Sequence, residues 1–122
     1  MIEPIEDMPA GTVGFRASGR VTRDDYRRVL EPALRDAVER GEVRLLYALD
    51  GEFEMEPGAV FEDARTGAGL GLAHHSAWKR TAIVTDAEWV ARSIHMFAWM
   101  APGEVRVWRG GDLDEARRWV AA

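Results

Sequence analysis

Val43-Arg44-Leu45-Leu46-Tyr47-Ala48-Leu49, closed by Asp50-Gly51, is apolar at six of seven positions, and its reading decides the fold. A strand with one wet face alternates apolar and polar residues. A nearly unbroken apolar run of this length marks a central strand covered on both faces, with Arg44 the exception near its start. Such strands are joined by crossover helices, so helical segments are expected on either side of the run. Upstream, Thr22 is an N-cap with Asp25 three residues on, a variant of the capping box. Tyr26, Val29, Leu30, Ala33, Leu34, Ala37 and Val38 then recur at helical spacing until Gly41. Pro32 falls inside this helix and deprives the Arg28 carbonyl of its donor, which predicts a kink rather than a break. Before the helix, Val13, Phe15 and Ala17 alternate with Gly14, Arg16 and Ser18, the period of a strand with one side wet or covered by something polar. Ile2 to Glu6 is a shorter strand that the Met8-Pro9-Ala10-Gly11 turn reverses.

Downstream, Pro57 to about Ala73 has Val60, Phe61 and Ala64 at helical spacing. Gly67, Gly69 and Gly71 follow, each costing about 1 kcal/mol against Ala in a helix. Its second half is therefore expected to be frayed or mobile, and the stretch from Gly67 to His75 the most mobile of the chain. Thr81 to Thr85 reads as a strand, Asp86 as the cap of a helix reaching Met100, and Pro102-Gly103 as its stop. Glu104 to Trp108 is a fifth strand. Asp112, with Glu115 at N3, caps a last helix whose apolar side is Leu113, Ala116, Trp119 and Val120. The order is ββαβαβαβα. Right-handed crossovers turn it into an α/β fold with a mixed, mainly parallel five-stranded sheet, an antiparallel first strand and four main helices, a single domain over 1–122.

Composition narrows the function. A chain of 122 residues can bury about two thirds of its unfolded surface in one core, so no staple is required. With no cysteine, a thiol nucleophile and a thiolate zinc site are excluded. A net charge of -5 repels nucleic-acid backbone, and no cluster of Lys and Arg with interleaved aromatics offsets it. The N-terminus carries Glu3, Glu6 and Asp7 where a signal peptide carries Lys or Arg, and no apolar run approaches the roughly 18 residues of a spanning helix. A cytoplasmic, soluble protein is the expectation.

The order of elements, the Gly19-Arg20-Val21-Thr22 entry to the first helix with Asp25-Tyr26, the Ala82-Ile83-Val84-Thr85-Asp86 strand, Glu88-Trp89, and Pro102-Gly103-Glu104-Val105-Arg106-Val107 resemble the SpoIIAA-like family, also called STAS/SEC14 domain proteins. The match spans essentially the whole chain, and its motifs are structural rather than chemical. The resemblance implies a STAS-like α/β fold, shared in outline with lipid-carrying SEC14 domains, in a bacterial family without an established enzymatic activity. It also implies small apolar ligands, or membranes touched through mobile helices. One departure matters. The anti-sigma-factor antagonists among STAS proteins carry a phosphorylatable Ser or Thr after the third strand. Here the stretch from Asp50 to Gly58 has no hydroxyl, so that switch is not carried over.

The residues offer no catalytic signature. Gly67-Ala68-Gly69-Leu70-Gly71 lacks the spacing of a phosphate loop. His74 and His75 are adjacent and diverge, poor geometry for a metal. His95 sits among apolar neighbours, and Ser18, Ser76 and Ser93 lack a nucleophile elbow. Asp50 and Asp86 lie at strand C-terminal ends, where α/β folds place ligand crevices, and Arg109 follows the last strand. For Asp86 helix capping is the simpler account. No catalytic, cofactor or metal residue is therefore assigned. The remaining signal is the helix from Asp86 to Met100. Val90, Ile94, Phe97 and Ala101 form its core stripe, which leaves Trp89, Met96, Trp99 and Met100 pointing elsewhere. With Phe61 from the preceding helix, these are the candidate contacts for a small apolar ligand or lipid held between the two helices. A homodimer or a regulatory protein partner is the competing use of the same surface, peripheral membrane contact is not favoured, and an enzyme is a distant third.

Overall fold

The computed structural model describes residues 1–50, 54–55 and 75–122. Five strands form one sheet in the order β1 (Ile2–Pro4), β2 (Val13–Ala17), β4 (Val43–Leu49), β6 (Trp78–Thr85), β7 (Glu104–Trp108). β1 is antiparallel to β2, and every later pairing in this sheet is parallel. The Val43–Leu49 run takes the central place its apolar character demands. A further parallel pair, β3 (Arg20–Val21) with β5 (Glu54–Met55), stands outside this sheet. Two-residue strands are too short to show a period, so they leave no mark in the sequence pattern. The expected helix over 57–73, with its glycines, lies outside the described residues, as does His74.

Both faces of the sheet are covered, by different elements. On one, Phe15, Ala17, Val43 and Leu45 pack with Tyr26, Leu30, Leu34 and Ala37. On the other, Leu46, Ala48, Ala82 and Val84 pack with Ala116 and Val120 of the last helix. At its β2 end that second face is only partly polar, whereas the alternation of Val13 to Ser18 reads as one side wet or covered by something polar. Gly14 is buried beneath Met8, so close that a Cβ on Gly14 would stand 2.7 Å from the Met8 Sδ. Arg16 completes this end by pairing with Asp50 at 3.0 Å.

The first helical region shows how local sequence is satisfied. Thr22 is the N-cap of α1 (Arg23–Asp25): its Oγ1 accepts from the Asp25 N–H at 3.3 Å, and its own N–H donates to Asp25 Oδ2 at 2.8 Å. A π-helical turn, Tyr26–Leu30, follows before α2 (Glu31–Glu39). The effect of Pro32 takes this form. Pro32 has no N–H for the Arg28 carbonyl and its ring crowds that carbonyl; widening the preceding turn, so that the Glu31 N–H bonds Tyr26, relieves the conflict without ending the helix. Gly41, at φ +90°, turns the chain into β4.

The Asp25 carboxyl carries a pH dependence. Burial by itself would raise its pKa, but hydrogen bonds from the Thr22 backbone and side chain, and the Met1 ammonium 3.3 Å away, outweigh burial and hold it below the ordinary 3.8. A carboxyl depressed by folding contributes stability above its unfolded pKa and loses it as pH falls through the folded one. Asp25→Ala is therefore expected to cost about 1 kcal/mol at neutral pH, and the gap to the parent should shrink toward roughly pH 3. Urea unfolding at both pH values checks this; a gap that stays constant would contradict it.

β6 begins at Trp78 rather than Thr81, and β1 ends at Pro4 rather than Glu6. The last helix, α4 (Leu113–Ala121), starts after Asp112 as expected and is entered through a 3-10 turn, Gly110–Asp112. Asp112 is the N-cap residue, but its side chain makes no capping hydrogen bond, contrary to the capping box read from Asp112 and Glu115. The carboxyl end of α4 is held instead. Arg44 and Arg80, paired in register on β4 and β6, reach its last carbonyls: Arg44 donates to Val120 at 3.0 Å and Ala122 at 2.7 Å, and Arg80 to Trp119 at 2.7 Å. Cations at a helix C-terminus satisfy orphan carbonyls and oppose the macrodipole. This is why the one charged residue of the central run is tolerated there.

Candidate functional site

Successive residues of an α-helix turn by about 100°, so α3 (Glu88–Phe97) presents three distinct stripes. Val90 and Ile94 form the first, with Val90 buried where α3 packs on β6. Trp89 and Met96 form the second and point outward; the row continues to Trp99 in the 3-10 turn Ala98–Met100. Trp89 is 62%, Met96 64% and Trp99 81% exposed. Among the described residues, no second layer buries them. Of the other two candidate contacts, Phe61 lies outside the described residues, and Met100 belongs to the 3-10 turn by its backbone.

Glu88, Ala91 and His95 make the third stripe and face a cleft of about 200 Å³ between α3 and the C-terminal ends of β6 and β7. Its other walls include Asp86, Trp108 and Arg109. Asp86 does not cap α3. The N-cap residue is Ala87, without a side-chain cap, and the Ala87 N–H is taken by Thr85 Oγ1 at 3.1 Å. The Asp86 carboxylate turns to the next strand end, where Oδ1 accepts from the Gly110 N–H at 3.0 Å. The competition is decided by reach: with an extra residue between Asp86 and the first helical turn, the Gly110 amide is the better-placed donor. A smaller hollow of about 90 Å³ adjoins it, lined by Arg16, Asp50, Asp86 and Gly110. The structure thus brings together at one edge the strand-end residues Asp50, Asp86 and Arg109, although in sequence they are far apart.

An aromatic and cationic cluster lies on the α4 face of β7. The Trp108 and Trp119 rings are 5.0 Å apart, the Arg80 guanidinium sits 4.8 Å from the Trp119 ring, and that of Arg106 5.2 Å. Trp119 is recognisable as inward from its helical spacing, but its cationic partners are not. The available signal is the alternation of Arg106 with Val105 and Val107, which puts Arg106 on the α4 side.

The SpoIIAA-like family model matches residues 12–121. The chain belongs to the SpoIIAA-like family. A solved structure similar to this SpoIIAA-like domain is that of an uncharacterised protein from the DUF3478 family with a SpoIIAA-like fold, from Shewanella loihica PV-4. Identity is 24%, the alignment covers 98% of this chain and 93% of that one, and the TM-score is 0.68. No curated protein matches the SpoIIAA-like chain. Among its described residues, no helix is long and apolar enough to cross a membrane.

Proposed function

We propose that this domain is a non-enzymatic, cytoplasmic binding module that holds a small apolar ligand or lipid against the outward row of α3, Trp89, Met96 and Trp99, with Phe61 and Met100 as further contacts. The exposure of that row carries the reading. Two tryptophans and a methionine in a line on one helix are costly to leave in water, and their chemistry suits a variable apolar guest: Met adapts its shape, and Trp joins an apolar face to an N–H that can meet a polar head. A dissolved ligand is favoured over stable membrane attachment, because the nearby cations are engaged elsewhere. Arg80 donates to Trp119, Lys79 to the Ser76 carbonyl, and Arg92 lies 3.6 Å from Glu88, so they do not form a basic patch that would offset the net charge of -5 at anionic lipid.

The test is a double substitution. Met96→Gln with Trp99→Gln is expected to weaken binding of a fluorescent fatty acid by about tenfold or more, since each side chain is worth roughly 1.5–3 kcal/mol when buried against a ligand. Because both residues are exposed, the unfolding free energy should change by no more than about 0.5 kcal/mol. Parent protein that binds no fatty acid would defeat the proposal. A parent homodimer that becomes a folded monomer on substitution, with probe binding unchanged, would assign the row to self-association.

A further inference from the structure

The outward row leaves unexplained the polar cleft on the other side of α3. We infer that this cleft is a second, separate binding site, for a small zwitterionic molecule of amino-acid size. It stands where parallel α/β sheets place ligands, beyond the carboxyl ends of the strands, and three of the strand-end residues singled out by the sequence, Asp50, Asp86 and Arg109, converge on this edge. The charges select the class. Among the described residues Arg109 makes no ion pair or hydrogen bond through its side chain, and Asp86 uses one carboxylate oxygen, on the Gly110 N–H. Glu88 is compensated by Arg92, and Asp50 by Arg16. Beside the His95 imidazole on the α3 wall, what remains is one cation and one anion in one cleft. A simple anion would meet Asp86 and a simple cation would meet Arg109; a molecule carrying both charges satisfies each. The wall between them is apolar, built from Ala87, Ala91, Val107 and Trp108, so the body of the ligand is apolar too. A volume of about 200 Å³ is below the roughly 300–1,000 Å³ of sites for drug-sized molecules.

The experiment is a two-dimensional amide NMR titration of the full chain with leucine, 4-methylpentanoate and 3-methylbutylamine, which share an apolar body and differ in charge. Leucine should produce saturable shifts at the amides of Ala87, Glu88 and Gly110, and each singly charged analogue should bind on the order of tenfold more weakly, having lost one charge-assisted hydrogen bond. Arg109→Gln and Asp86→Asn should each reduce leucine affinity by about tenfold. The asparagine retains an acceptor for the Gly110 N–H, and Arg109 is exposed, so at least one variant reports on a folded domain. The Met96→Gln/Trp99→Gln variant should leave leucine binding unchanged, which separates this site from the outward row. Absence of saturable shifts, 4-methylpentanoate binding as tightly as leucine, or loss of binding only on changing Met96 and Trp99 would each overturn the inference.

Discussion

Leu46→Ala is expected to lower the unfolding free energy by about 3 kcal/mol. Leu46 has no exposed surface, lies on the central strand β4, and packs with Ala48, Ala82, Val84, Ala116 and Val120. The penalty combines the lost transfer of the side chain from water with a cavity that the neighbours cannot close. Neighbouring strands fix the backbone on both sides, and the small residues opposite have no side-chain reach to collapse inward. Thermal unfolding should shift down by roughly 10 °C. A shift of only a degree or two would mean that α4 settles onto the sheet after truncation, and that this face is less tightly packed than the geometry indicates.

Gly103→Ala should be comparably damaging for a different reason. Gly103 has φ +73° at the turn into β7, and a Cβ there would stand 2.7 Å from the Trp78 carbonyl oxygen and 2.8 Å from that of Lys79. Both contacts are with backbone of β6, which cannot rotate away. Left-handed backbone costs an L-residue about 1–2 kcal/mol, and forced overpacking about 1–3 more. Gly41→Ala is the internal control, since φ is +90° there but no described atom lies within 4 Å of the added Cβ. Calorimetry of the two variants should show Gly103→Ala as clearly the less stable; equal losses would reduce the effect to backbone conformation alone.

The architecture is largely legible in the sequence because the main driving force, removal of apolar side chains from water, leaves a periodic trace. The Val43–Leu49 run, the stripe from Tyr26 to Val38 and the alternation in Val13–Ala17 each follow from which side chains are buried, and the right-handed crossover rule makes the later strands parallel. Competition between hydrogen-bond partners distant in sequence leaves no such trace. Asp86 stands where a cap should stand, yet its carboxylate is taken by Gly110, 24 residues on. Asp112 is likewise an N-cap without a side-chain bond. Pro32 is readable as a disturbance but not as a π turn, because the ring conflict can be relieved in more than one backbone geometry. The site is legible only in part. The outward placement of Trp89, Met96 and Trp99 follows from helical spacing alone, whereas the convergence of Asp86 and Arg109 on one cleft needs the parallel register of β6 with β7.

Native mass spectrometry of freshly purified protein decides whether α3 carries an apolar ligand without relying on a chosen probe. A folded species of the chain mass plus a small apolar molecule is expected, released on activation and absent from the Met96→Gln/Trp99→Gln variant. Bare chain alone, unchanged after incubation with fatty acid, would contradict a ligand-carrying role for Trp89, Met96 and Trp99.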